Sequence, residues 1–73
     1  MESGERVVLL RRIEKYLRAS GMAATRFGRE AVRDPRFVLD LRRGREPGGA
    51  VSRRVAAFLE TREAQLEARR CAN

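Results

Sequence analysis

The chain has 73 residues, which is enough for one small domain. Its formal net charge is +7, and such a charge favours polyanions as binding partners. Nucleic acid is the first such partner, and an anionic membrane surface is the second. No signal peptide is evident, and the longest strictly apolar run, residues 55–59, is far shorter than the ~20 residues of a membrane span.

The positive charge is concentrated in the middle of the chain. Residues 26–54 contain nine arginines and four acidic residues, whereas residues 55–73 contain three bases and three acids. Lys15 is the only lysine among the 17 basic residues. Arginine suits phosphates and guanine edges, although codon preference in a GC-rich genome explains the same excess equally well. The position of the charge is therefore the more informative feature.

Residues that could carry catalysis are scarce. The chain has no histidine, no glycine-rich phosphate loop and no pairing of a nucleophile with a base, so we expect neither an enzyme nor a metal or other cofactor. The single cysteine, Cys71, cannot form an internal disulfide. We interpret it as an inert thiol in a reducing cytoplasm, with an intermolecular disulfide as the alternative.

Two helices are predicted in the first half of the chain. The first begins near Glu5 after a loose end at residues 1–4, and ends at Ser20 and Gly21. The second covers residues 23 to 31 or 32 and contains Gly28, a position that a closely packed neighbouring backbone would explain. The predicted inward positions recur at helical spacing: Leu9, Leu10, Ile13, Tyr16 and Leu17, then Phe27 and Ala31.

Two further helices are predicted after residue 33. Asp34 is a favoured N-cap and Pro35 a favoured first residue, so a third helix begins at Pro35 and ends before Gly44. A fourth begins near Ala50 or Val51. Its helix-prone extension, about residues 60–70, is either exposed or a partner-binding arm. No segment alternates like a strand, so we predict a single all-α domain of four to five helices. The predicted inner faces are Val38 and Leu41, then Val51, Val55, Phe58, Leu59 and Leu66.

Residues 23–43 fit the requirements of a helix-turn-helix. Such a motif needs a small residue where its two helices nearly touch, and Gly28 supplies one. It also needs an apolar inner face and a polar outer face on the second helix, which lies in the major groove of DNA. Val38 and Leu41 form the inner face, and the outer positions are Arg33, Arg36, Asp40 and Arg43.

These residues resemble the Cro/lambda-repressor-like (XRE) family over about residues 9–60. Residues 25–31 resemble its first motif helix, residues 34–41 its recognition helix, and residues 43–47 the turn that follows. The resemblance implies a small lambda-repressor-like DNA-binding domain. Val32 departs from the pattern, because it stands where the family usually has glycine at the turn. A β-branched residue resists positive φ, so the turn is shifted by one residue or differs in geometry. Ala23, in place of a Ser or Thr cap, is a weaker departure.

The resemblance also implies roles for the arginines. Arg36 would grip a guanine, and Asp40 would accept from cytosine N4 or instead orient Arg36. Arg33 lies close enough to reach a base. Phe37 faces outward in this register, where it would pack under Arg33 or contact a thymine methyl. If the turn is shifted, Phe37 would instead join the core. The expected phosphate contacts are Arg43, Arg45, Arg26 and Arg29, with Arg53 and Arg54 as weaker candidates.

The expected function is that of a small sequence-specific repressor of phage or mobile-element type. It would bind a palindrome as a homodimer and, with no room for an effector domain, occlude a promoter. A protein-binding module, such as an antitoxin-like partner, and a nonspecific nucleoid or RNA-binding protein are the alternatives. The expected dimer surface consists of Phe58, Arg62 and Leu66.

Overall fold

The computed structural model describes residues 4–71, apart from the side chains of residues 5, 70 and 71. These residues form four helices and no strand: α1 (Gly4–Ser20), α2 (Ala24–Val32), α3 (Phe37–Arg42) and α4 (Gly49–Cys71). The all-α prediction is therefore confirmed. The expectations for most of the loose N-terminal end (residues 1–3) and for the thiol of Cys71 lie outside the described residues.

One hydrophobic core joins the four helices. Its centre is Phe27 of α2, which is fully buried. The Phe27 ring lies 6.1 Å from the Tyr16 ring of α1 and makes an edge contact at 5.3 Å with Phe58 of α4. The other buried core residues belong to the predicted inner faces, with one addition, Phe37. Four residues of those faces are only half-buried against the core: Leu10, Val51, Phe58 and Leu66. The helical periodicity of apolar residues therefore predicted nearly the whole core.

The turn between α2 and α3 places its left-handed residue at Arg33, not at Val32. Arg33 has a φ of 60°, and its N–H donates to the carbonyl of Arg29 at 2.9 Å. Asp34 N–H then donates to the Gly28 carbonyl at 3.1 Å. Val32 stays in the helix, half-buried against the core. The turn is thus shifted by one residue from the position where the resemblance placed it.

Gly28 permits this turn because α2 and the turn backbone nearly touch there. A Cβ atom on Gly28 would overlap the Asp34 carbonyl oxygen and lie 3.2 Å from the Cβ of Phe37. The expected close backbone approach is confirmed. It also explains why Phe37 is buried, since the missing side chain leaves room for the start of α3.

The third helix is shorter than predicted, because it begins at Phe37 and not at Pro35. A carboxylate oxygen of Asp34 accepts from the Arg36 N–H at 3.0 Å, and the Asp34 carbonyl accepts from the Phe37 N–H. These bonds close a turn over Pro35 and Arg36 before the helix starts. Phe37 is only 8% exposed, so the outward orientation predicted for the unshifted register is wrong, and the alternative tied to a shifted turn, a place in the core, is confirmed.

The extension of α4 packs on α1 as far as Leu66. Arg12 of α1 forms two hydrogen bonds to the Glu63 carboxylate, at 2.9 and 3.3 Å, and Leu66 packs against the core cluster. Residues 67–69 are exposed. None of the helices in the described part of the chain has the length and apolar character that crossing a membrane requires.

Candidate nucleic-acid interface

The exposed side of α3 presents four side chains that line one shallow concavity: Arg36, Leu39, Asp40 and Arg43. We call these residues the α3 face. The opposite side of the helix is buried through Phe37, Val38 and Leu41. Because three buried residues fix the rotation of α3, the direction of the α3 face follows from the core.

Arg36 and Arg43 are exposed, and no carboxylate of the described side chains lies within 4.0 Å of either. Arg36 stands at the amino end of α3, where the helix dipole favours an acidic residue. The helix therefore gains nothing from a cation at this position. An unpaired arginine that does not stabilise its own helix is suited to contact an external anion.

Arg29 and Arg33 continue this unpaired charge from the last turn of α2 into the turn. Both are exposed, and the described side chains place no acidic partner within 4.0 Å of them. Arg33 occupies the left-handed conformation, which costs an L-residue about 1–2 kcal/mol and which glycine would adopt freely. The fold therefore does not require arginine at this position.

Many other arginines are neutralised within the domain. Six of them lie within 4.0 Å of a carboxylate among the described side chains: Arg6, Arg12, Arg26, Arg42, Arg45 and Arg62. Two of these, Arg26 and Arg45, are predicted phosphate contacts, and either would have to release its carboxylate to hold a phosphate. Of the four main predicted phosphate contacts, Arg29 and Arg43 are unpaired among the described side chains, and the weaker candidates Arg53 and Arg54 on α4 are unpaired there as well.

Asp40 is turned toward the loop that follows α3. Its carboxylate lies 3.2 Å from the Arg45 guanidinium, and its carbonyl accepts from the Arg45 N–H at 3.0 Å. The structure therefore pairs Asp40 with Arg45 and not with Arg36, which was its alternative predicted partner. Arg45 reduces the repulsion that a free Asp40 carboxylate would exert on a polyanion.

Two side chains of α1 hold the far end of α3, a contribution that the sequence did not reveal. Arg6 donates to the Leu41 carbonyl at 3.1 Å, and its Nε lies 3.6 Å from the Glu46 carboxylate. Glu14 accepts two hydrogen bonds from Arg42, at 2.6 and 2.8 Å. These bonds lower the pKa of Glu14. Together the two contacts fix α3 against the longer helix α1.

The predicted dimer residues are engaged within the chain. Arg62 lies over the Phe58 ring, 4.9 Å from its centroid, and donates to Glu30 of α2 at 2.9 Å. Glu30 also accepts from Arg26 at 2.8 Å, and this hydrogen bond lowers the pKa of Glu30. Leu66 is half-buried. Phe58 and Arg62 thus link α4 to α2, and a role at a dimer surface would be additional.

Leu39 is a residue of this face that the sequence reasoning missed. It is 38% exposed and is one of three exposed large hydrophobic residues in the described part of the chain, with Val7 and Val8. The signal was available, because Leu39 follows the inward Val38 by one residue and therefore lies about 100° round the helix.

Comparisons of the chain with protein-family models, curated proteins and solved structures found no match. The resemblance to the XRE family therefore stays a prediction from the residues themselves. Within the described part of the chain, no group of three or more metal-ligating side chains comes together.

Proposed function

We propose that this protein binds double-stranded DNA in a sequence-specific manner, with α3 in the major groove. The observation that carries the proposal is the distribution of unpaired charge. Arg29, Arg33, Arg36 and Arg43 follow one another through the end of α2, the turn and α3. Six other arginines have carboxylate partners, and the remaining unpaired arginines among the described side chains lie on α1 and α4. A duplex supplies the phosphates and guanine edges that such a series fits.

Within this proposal the α3 face reads the bases. Arg36 donates to the O6 and N7 atoms of a guanine, and Asp40, partly neutralised by Arg45, accepts from a cytosine amino group. Arg33 lies at the entrance of the groove, where it reaches a base edge. Arg43 and Arg29 hold phosphates on either side, with Arg45 and Arg26 as further contacts once their carboxylates are released.

The proposal extends to a homodimer that acts as a small repressor in the cytoplasm of a bacterium. A single α3 presents few side chains to the bases, so two copies on a palindrome with half-sites about 34–36 Å apart would supply the specificity. The resemblance to the XRE family supports this arrangement. Occupation of an operator that overlaps a promoter would then repress transcription.

Selection of bound sequences from a random duplex pool tests the proposal. We expect a recurring palindrome, for which Arg36→Ala changes base preference at one position by about 1–3 kcal/mol. Arg11→Ala is the matched control, since Arg11 is an exposed arginine of α1 outside the motif. A pool without enrichment would contradict specific binding, and no binding to any duplex at low salt would contradict DNA binding altogether.

A protein-binding module is the second candidate. Val7 and Val8 are exposed on α1, and Val8 is 62% exposed beside Ser52 and Ala56 of α4. This apolar strip favours a protein contact outside the α3 face. A stable complex with another protein that persists when Arg36 and Arg43 are both replaced by alanine, in a chain that binds no duplex, would favour this candidate.

A further inference from the structure

Leu39 occupies the middle of the α3 face. Arg36 precedes it by three residues and Arg43 follows it by four, the spacing at which helical side chains lie along one side. All three residues line the same concavity, together with Asp40. An apolar side chain thus stands between two unpaired guanidinium groups, at the part of the helix that points farthest from the core.

The core does not account for a leucine at this position. Leu39 is 38% exposed, while its neighbours Val38 and Leu41 are almost completely buried. The backbone of Leu39 already takes part in the helix, accepting from the Arg43 N–H at 3.1 Å. A polar residue would maintain that bond equally well, so what leucine adds lies on the exposed side.

The chemistry of the major groove offers one kind of partner for such a group. Base edges there present hydrogen-bond donors and acceptors, and the C5-methyl of thymine is their apolar group. Leucine has a shorter side chain than the arginines beside it, so it reaches a base only if the α3 backbone lies deep in the groove.

We infer that Leu39 is a specificity-determining residue that recognises the methyl group of a thymine. This inference rests on the proposed function, because it requires α3 to lie in the major groove. Arg36 on one side favours a guanine nearby, so the recognised thymine lies within a few base pairs of that guanine.

Replacement of thymine by deoxyuridine tests the inference, because it removes the methyl group and keeps the Watson–Crick pair. The probe is the duplex selected by the wild-type chain, with each thymine replaced in turn. Burial of one such group is worth about 0.8 kcal/mol, so we expect about a fourfold loss of affinity at one thymine of each half-site. In Leu39→Ala this loss should disappear. Val8→Ala is the matched control, because Val8 is exposed on α1, and it should keep the loss.

The outcomes separate the inference from the proposed function. If the wild-type chain binds the selected duplex but no deoxyuridine changes its affinity, Leu39 does not recognise thymine while DNA binding stands. If deoxyuridine weakens binding by Leu39→Ala as much as binding by the wild type, the inference is refuted in the same way. The inference is also refuted if Leu39→Ala binds the original duplex as tightly as the wild type does. If no duplex is bound at all, the proposed function fails and the inference fails with it.

Discussion

Replacement of Gly28 by alanine should destabilise the domain, although alanine is the better helix former. The new Cβ would overlap the Asp34 carbonyl oxygen and press on the Phe37 Cβ at 3.2 Å. Both contacts belong to the turn that carries α3, and the Asp34 N–H is hydrogen-bonded to the Gly28 carbonyl. Neither backbone can move without disturbing this turn.

The magnitude follows from two opposing effects. Overpacking typically costs about 1–3 kcal/mol, and a clash with a backbone atom belongs at the upper end of that range. The helix preference of alanine returns at most about 1 kcal/mol. We therefore expect Gly28→Ala to lower the free energy of unfolding by about 2 kcal/mol, which corresponds to a Tm about 8–16 °C lower in a domain of this size.

Urea and thermal unfolding followed by circular dichroism measure this effect. Gly49→Ala is the matched control, because Gly49 is also helical and a Cβ there would meet only the Arg53 guanidinium, at 3.8 Å. The control should unfold at the wild-type temperature or slightly above it. A Gly28→Ala chain as stable as this control would refute the close approach of α2 and the turn.

Further predictions concern the turn, the phosphate contacts and an ion pair. Arg33→Gly should raise the free energy of unfolding by about 1 kcal/mol, because it removes a positive-φ side chain, and should weaken DNA binding in a titration; a loss of stability would contradict the left-handed turn. Arg43→Ala should reduce the slope of log affinity against log salt by about 1, and Arg11→Ala should not; equal slopes would argue against a phosphate contact by Arg43. Glu14→Gln should lower the Tm at pH 7, because Arg42 lowers the pKa of Glu14 in the folded state. That stabilisation is present above the unfolded pKa and is lost as pH falls through the lowered folded pKa, so the variant and the wild type should converge in acid; a constant difference would exclude this linkage.

The sequence predicted the helices and the core where the signals are local. Gly21 ended α1 because its positive φ is a glycine property, and the spacing of apolar residues identified the buried faces. The exposed positions of Arg36 and Arg43 were predictable for the same reason, since Val38 and Leu41 fix the rotation of α3. The helical spacing of apolar residues thus predicted both the buried faces of the helices and the direction of the α3 face.

The turn was only partly predictable from local signals, because the β-branched Val32 did not decide between a shift by one residue and a different geometry. An arginine gives no indication of a left-handed conformation, and the close approach of Gly28 and Asp34 is what brings Arg33 into it. Asp34 and Pro35 indicated a helix start, but the carboxylate of Asp34 first closes a turn over two residues. Because the turn is shifted by one residue, Phe37 lies in the core.

Ion pairs between distant segments were also beyond the sequence. Glu14 and Arg42 are 28 residues apart, and Arg12 and Glu63 are 51 residues apart. With 17 basic residues in the chain, each acid has many candidate partners until the helices are placed. The choice stays open even over a short separation, since Asp40 pairs with Arg45, five residues away, and not with Arg36.

The central claim is that the unpaired arginines of the α2–α3 region bind DNA through their position and not through net charge alone. Two variants that each lose four positive charges separate these possibilities in a fluorescence anisotropy titration with the selected duplex. One carries alanine at Arg29, Arg33, Arg36 and Arg43. The other carries alanine at four exposed cations outside the motif: Arg11, Lys15, Arg18 and Arg69.

We expect the first variant to lose at least about 100-fold in affinity, because it lacks both base and phosphate contacts, and the second to lose about fivefold or less. Circular dichroism should show that both are folded. Equal losses in the two variants would contradict the claim, because they would show that net charge, and not the α3 face, attracts the duplex.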